Sequence, residues 1–495
     1  MLFTSFSFVL FFGVVFVLYW FLFNRNLTAQ NLLLLGSSYL FYGVWDLRFL
    51  ALLFLISAAN YVIGLGVRKS GPQRIRVLAL WSGLILNIGT LVVFKYFNFF
   101  LDGFRQIAAS LNISLNIPLV EVFLPVGISF YIFLALSYIL DIYKGRLEAE
   151  KNVLNVLLSL SFFPIILAGP LQRPATLLPQ IKAPRKFRYL QATDGLKQIL
   201  WGVFMKVVIA DRCVEPVKMV FDSTQAQSGS TLLLGVFLFA VQIYADFSGY
   251  SNIAIGIGKL MGFNIMRNFA NPYFSTNIKE FWTRWNISLT SWFRDYVFLP
   301  LSYRISRNIR ADKVFGIKTE LWIYILGSIV TWLLTGLWHG ANVTFIVWGL
   351  LQGTFLTLYH VSFKSARNLY RKFGVSQHHP VLVLFQSVFT LILVLFSWTF
   401  FRSGSLVQAG RMIGDIFSDS LLTLPSLYDS KQELITMGFI LFAFATEWAG
   451  RNSEYGIASI GEHWPRPLRW MTYYFFIAVV LFLRGSEQQF IYFQF

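Results

Sequence analysis

Thiol chemistry is almost absent from this chain. Its 495 residues include one cysteine, Cys213, which excludes an intramolecular disulfide and any Cys-rich metal centre. Nothing beside Cys213 marks an activated thiol, so acyl transfer through a cysteine is not expected. Charge is scarce too. Asp, Glu, Lys and Arg make up 13% of the residues, against about 25% in soluble domains, so water does not solvate most of the surface. The longest polar connections, at residues 169–194, 264–279 and 403–433, are too short to hold a soluble domain. No solenoid-like period is present, nor the relation between halves expected of an inverted-repeat transporter. The first 23 residues lack a basic n-region and a small-residue cleavage site, so they are expected not to be a cleaved signal.

Apolar residues fill the space that charge leaves. They form 56% of the chain, and the mean hydropathy is +0.61. Runs at residues 6–23, 49–65, 77–94, 122–140, 232–244, 321–337, 343–359, 382–400 and 470–483 approach the length of a bilayer crossing, and shorter ones surround Leu32, Leu157, Val203 and Phe442. Their continuity suits helices rather than the alternating strands of a membrane barrel. The length rule predicts an all-α, polytopic membrane protein with about 11–13 membrane helices. Residues 1–495 are expected to form a single integral-membrane domain.

The net charge of +18 is concentrated in four short loops. They hold Arg68, Lys69, Arg74 and Arg76; Arg173, Lys182, Arg185, Lys186 and Arg188; Arg304, Arg307, Arg310, Lys313 and Lys318; and Lys364, Arg367, Arg371 and Lys372. Lys and Arg are retained on the cytoplasmic side, so these loops should face inward, with the N-terminus and the loops around Asp102, Asp222 and Asp415 outside. Nucleic-acid binding is not expected, because no soluble fold accompanies the basic stretches.

Residues 279–301 break the spanning pattern. Phe281, Trp285, Leu289, Trp292 and Tyr296 recur at helical spacing, but Arg284, Asn286, Arg294 and Asp295 interrupt them. The segment reads as an in-plane or re-entrant helix with its polar side on protein or a water-filled cavity. An interfacial helix without chemistry fits the composition equally well.

Five histidines are present, and His339 stands apart. His360 ends an apolar segment, His378 and His379 precede Pro380, and His463 lies in a polar stretch. His339 sits where two apolar segments meet, and ionisable residues at membrane depth are functional candidates. The alternative is a satisfied histidine that joins two helices. No zinc partner stands near His339 at ligand spacing, so no metal is expected. No G-x-S-x-G elbow appears, and the glycines at 256, 258 and 262 lack the dinucleotide spacing. Asp246 is read as architectural, with Arg284 as a candidate counter-ion.

Four segments together resemble the membrane-bound O-acyltransferase superfamily: LPVGISFYIFLALSYILDIYKG (124–145), AGPLQRPATLLPQI (168–181), QIYADFSGYSNIAIGIG (242–258), and FWTRWNISLTSWFRDYVFLPL (281–301) followed by GLWHGAN (336–342). They run in the family's order and are most similar to the bacterial alginate O-acetylation branch. The resemblance implies helices around a central reaction channel. It makes His339, in W-H-G, the catalytic residue. A second catalytic position falls on Asn286, where bacterial members usually carry histidine and several eukaryotic members carry asparagine. Arg284, Trp285 and Trp338 become candidate substrate-binding residues.

The chemistry follows from the side chains. A hydroxyl needs a base before it attacks a thioester, and a neutral imidazole suits that task. An amide cannot exchange protons near neutrality, so Asn286 is restricted to positioning or polarising the acyl carbonyl. The expected reaction moves an acyl group, above all acetyl, from a cytoplasmic thioester to an extracytoplasmic hydroxyl. No cofactor is expected to be held. The donor would be acetyl-CoA or an acyl carrier thioester, and the acceptor a polysaccharide or a periplasmic relay protein at a bacterial inner membrane. A polysaccharide or lipid-linked sugar exporter would also explain many helices and buried polar groups, but not the W-H-G and R-W-N segments in this order.

Overall fold

A computed structural model describes the chain apart from residues 112, 114–122, 224, 310, 375, 377–378, 427–429, 462–463, 484, 486–487 and 492–495. Arg310, His378, His463 and the start of the run at 122 therefore lie outside the described residues.

Among the described residues, every regular element is helical except one hairpin of two-residue strands. The chain divides into two compact units, residues 1–199 with 253–266, and residues 200–252 with 267–495. Among the described residues, six helices are long and apolar enough to cross a membrane, and Phe6–Leu22 and Ile128–Tyr143 are shorter apolar helices. The runs around Leu157, Val203 and Phe442 are helical as well, but they are short, interrupted or punctuated by charge.

In the first unit, α1 (Leu47–Val67) and α2 (Gln73–Leu91) pack beside α3 (Ile128–Tyr143). Asn60 and Asn87, both fully buried, exchange amide hydrogen bonds of 3.1 and 2.9 Å between α1 and α2. Reciprocal pairing satisfies two amides in a setting where water is absent. A Cβ on Gly83 would lie 2.6 Å from Ile139, and one on Gly64 would lie 2.6 Å from Tyr138. Small residues thus bring α1 and α2 close against α3. The helix begins after Gly127, whose φ of 73° and 2.6 Å Cβ clearance from the Ile166 carbonyl oxygen both require glycine. The long helix Gln73–Arg105 buries only 17% of its most apolar window, so its sides suit lipid.

α4 (Gly229–Leu260) behaves oppositely, with 83% of its apolar window buried. Its carboxylate Asp246 is tied down within the second unit. Lys206 Nζ stands 2.8 Å from Asp246 Oδ1 and 2.8 Å from Asp211 Oδ1, and the Ile491 N–H donates to Asp246 Oδ2 at 2.7 Å. The expected Arg284 partner is therefore corrected to Lys206. Arg284 lies four residues after Glu280 on one helix and pairs with it instead.

The second unit continues through α5 (Ile278–Arg284), α6 (Ile287–Phe293) and α7 (Leu299–Asn308). A hairpin of β1 (Lys313–Val314) and β2 (Ile317–Lys318) follows, turning at Phe315 and Gly316 with both φ positive, as a tight two-residue turn requires. Three long helices come next, α8 (Thr319–His339), α9 (Val343–Lys372) and α10 (Pro380–Arg402). α8 and α9 form an antiparallel pair whose backbones nearly touch. A Cβ on Gly336 would sit 2.2 Å from the Phe345 carbonyl oxygen, and one on Gly349 would sit 2.3 Å from that of Trp332.

Candidate active site

One face of α8 carries Tyr324, Ser328, Thr331, Thr335 and His339 at helical spacings of three and four. Thr331 and Thr335 return their hydroxyls to the carbonyls of Gly327 and Thr331, at 2.6 and 2.8 Å, which satisfies them inside an apolar helix. The helix stops at His339 because Gly340 turns to extended backbone. Asn342 then caps α9, its Oδ1 accepting from the Thr344 N–H at 3.0 Å. A Cβ on Gly340 would lie 2.2 Å from the Phe345 ring, so the glycine after the histidine is a spatial necessity. His339 is 6% exposed. Its ring meets those of Trp338, Trp348 and Phe401 edge-on, with centroids 4.8, 5.0 and 5.0 Å away.

The facing wall is a broken helix. The sequence predicts one helix through 279–301, but α5 ends at Arg284 and α6 begins at Ile287. Asn286 between them adopts left-handed backbone, φ 41° and ψ 53°. Asparagine is among the few residues other than glycine that visit this region readily. The chain before α5 holds the break in place. The Ala270 N–H donates to the Arg284 carbonyl, and the Ile287 N–H donates to that of Asn268, both at 2.9 Å. Asn268 Oδ1 accepts from the Ser288 N–H and hydroxyl at 3.2 and 2.8 Å, while its Nδ2 donates to Ser251 at 3.2 Å. The predicted apolar face survives the break, since Phe281, Trp285, Leu289, Trp292 and Tyr296 are all buried.

Between these walls lies a cavity of about 290 Å³ whose lining includes Trp285, Asn286, Tyr324, Thr331, Thr335 and His339. The structure thus places on one cavity the two positions expected from the sequence to be catalytic, His339 as base and Asn286 as a positioning or polarising amide. Asn286 is 3% exposed, so both side chains are shielded from bulk water. Arg284 and Trp338 are not among the residues lining the cavity. Arg284 holds Glu280, and Trp338 packs on His339 and on Phe293. Trp282, which sequence reasoning did not single out, lines the cavity and stands 4.2 Å from Trp332, with its Nε1 donating to buried Gln352 at 3.1 Å. A lone amide inside the run 343–359 was the available signal for Gln352. For Asn268 the sequence offered none.

The sequence profile described as MBOAT, membrane-bound O-acyltransferase family, matches residues 146–403, a span that contains every candidate site residue. A probable alginate O-acetylase of Pseudomonas putida is 34% identical over the full length of both proteins. The chain belongs to the membrane-bound O-acyltransferase family. Within it, a peptidoglycan O-acetyltransferase of Helicobacter pylori is 30% identical over 79% of this chain and 74% of its own length. A teichoic acid D-alanyltransferase of Bacillus subtilis is 29% identical over 47% of this chain and 58% of its own. This member is therefore a multi-pass membrane O-acyltransferase that acts between an acyl donor and an acceptor.

Proposed function

We propose that this O-acyltransferase moves an acetyl group from a thioester at the basic-loop side to a hydroxyl on the opposite side of a bacterial inner membrane. The observation that carries the reading is the cavity that His339 and Asn286 share. Its α8 face runs from Tyr324 to His339, about 22 Å at 1.5 Å per residue, which suits a linear thioester arm. α8 begins just after the basic hairpin Lys313–Lys318, so the Tyr324 end is the donor's end.

In the reaction His339 takes the acceptor's hydroxyl proton as the oxygen forms its bond to the acyl carbon. The carbon–sulfur bond then breaks, and the imidazolium returns the proton to the departing thiolate. Nothing is oxidised or reduced, and no bound cofactor is required. The Asn286 amide donates to the carbonyl oxygen as negative charge develops there, while the Trp285 ring lines the acyl path. The donor is acetyl-CoA or an acyl carrier thioester, and the acceptor is a polysaccharide or a relay protein.

The test is thioester turnover by purified protein in lipid nanodiscs, wild type against His339→Ala, with the native acceptor or relay partner and a melting curve for each. Loss of a general base costs about 10²–10⁴ in rate. A His339→Ala protein that melts like wild type and still transfers acetyl at a comparable rate ends the assignment.

A further inference from the structure

Glu447 is the one charged residue in the run 434–449, and the reaction above makes no use of it. It lies on the helix Ser430–Ala449 and is 3% exposed. A carboxylate is costly to bury unless a donor meets it. Tyr244 of α4, buried as well, supplies that donor, its hydroxyl 2.7 Å from Glu447 Oε1. Met205, Ile209, Val241, Ile440, Ala443 and Phe444 surround the pair and leave a void of about 10 Å³, with room for one water at most. A hydrogen bond so enclosed is stronger than one in water. Arg267 feels the charge of both Glu447 and Glu454, so it keeps a counter-charge if Glu447 is neutralised.

The Tyr244 ring backs the active-site wall. Its centroid lies 6.0 Å from that of Trp285, which lines the cavity beside Asn286. Phe281, Phe269 and Tyr273 close on the same indole, with centroids 5.4, 5.2 and 5.8 Å away. Tyr273 is itself tied down, its hydroxyl donating to the Ala240 carbonyl at 2.6 Å. Trp285 also meets Trp398 at 5.2 Å, and Trp398 packs on Trp348 and Phe401, two of the rings that contact His339. A single ring thus separates Trp285 from the shell around His339, which puts the indole at the acyl end of the cavity rather than at the Tyr324 end. The indole cannot retreat toward α4 without displacing Tyr244, and Tyr244 is held by Glu447.

We infer that Glu447 and Tyr244 form a positioning clamp that holds Trp285 against the acyl group and restricts the donor to short acyl chains. The inference deepens the acyl-transfer reading and rests on it for the identity of the ligand. Neither Glu447 nor Tyr244 lines the cavity, so both act through Trp285. A fixed indole leaves a longer chain no depth, whereas a released one yields the space. Fitted apolar pockets separate homologues that differ by a methylene about 10–200-fold.

The experiment is calorimetric titration of purified full-length protein in lipid nanodiscs with ketone analogues of acetyl- and butyryl-pantetheine, in which a methylene replaces the sulfur. Pantetheine is the arm that coenzyme A and acyl carriers share, and the ketones cannot be turned over. Wild type should bind the acetyl analogue at least about tenfold more tightly than the butyryl analogue. Glu447→Gln keeps an acceptor for Tyr244 and should keep that ratio. The double variant Tyr244→Phe with Glu447→Leu removes both polar groups and leaves neither unpaired, so it should fold and lose the preference. Tyr244→Phe alone and Trp285→Phe should lose it too, so the outcome does not hang on the folding of one variant. Each protein is also melted, because a pair that served stability alone would shift the melting temperature and leave the ratio of the two affinities unchanged. That result overturns the inference. So does a wild type that binds the analogues equally or binds neither, or a Glu447→Gln protein that loses the preference. Wild-type binding with this preference but without thioester turnover would count against the acyl-transfer reading and leave the clamp standing.

Discussion

The left-handed backbone at Asn286 allows its amide to be separated from its role in the fold. A non-glycine L-residue in this region costs roughly 1–2 kcal/mol, less for asparagine. Asn286→Ala therefore removes the amide and also strains the break between α5 and α6, so it confounds chemistry with stability. Asn286→Gly removes the same amide and relieves the backbone. The three interactions that Asn268 makes with Ile287 and Ser288 are left in place. If the amide polarises the acyl carbonyl, its loss should cost about 10²–10³ in rate, or roughly 2.7–4 kcal/mol of barrier. The assay is acetyl-thioester turnover with saturating acceptor, beside thermal melting in the same nanodiscs. Asn286→Gly is expected to melt at or above the wild-type temperature yet turn over at least about a hundredfold more slowly, while Asn286→Ala is slow and also melts lower. Histidine tolerates left-handed backbone as asparagine does, so Asn286→His should keep its melting temperature and part of the rate. Wild-type turnover by a normally melting Asn286→Gly protein would refute the role given to the amide.

Three further outcomes follow from the geometry. In a Cys213→Ala background, single cysteines introduced near Arg74, Lys186, Lys313 and Arg371 should resist an impermeant reagent applied from outside; labelling of all four would reverse the orientation. Lys206→Met leaves two buried carboxylates facing each other and should cost about 3–5 kcal/mol, whereas Asp246→Asn leaves a neutral Lys206–Asp211 pair and should cost less. Melting temperatures in the opposite order would show that the triad's charge balance is not what holds Asp246. Gly336→Val must displace the Phe345 carbonyl, so it should lower the melting temperature and activity together, and a variant stable as wild type would mean that α8 and α9 can separate at little cost.

Much of this arrangement could be read before any coordinates. The scarcity of charge, the apolar runs and the isolation of His339 each follow from the high cost of placing a polar group in hydrocarbon, which leaves its trace directly in composition. The break at Asn286 could not be read the same way. Phe281, Trp285, Leu289, Trp292 and Tyr296 keep helical spacing across it, because α5 and α6 bury the same side. Asn268 supports that break from a connecting segment whose sequence carries no period. Lys206 does leave a signal in the sequence: a lysine in the apolar run around Val203 demands a carboxylate, and Asp211 and Asp246 supply it. Arg284, by contrast, has Glu280 one helical turn away on its own helix and needs no distant carboxylate.

The contact between Gly336 and Gly349 bears on how ligands enter and leave. With carbonyl oxygens 2.2 and 2.3 Å from where each Cβ would stand, α8 and α9 have no slack to slide or hinge without breaking van der Waals contact along their crossing. His339 is carried on that pair, so the base proposed here is fixed to a tightly packed part of its unit. The opposite wall is built differently, from two seven-residue helices joined through Asn286, whose neighbours Arg284, Ile287 and Ser288 are held by a few hydrogen bonds to Ala270 and Asn268. A widening of the cavity to admit a bulky acyl chain would therefore fall on α5 and α6 rather than on the histidine helix.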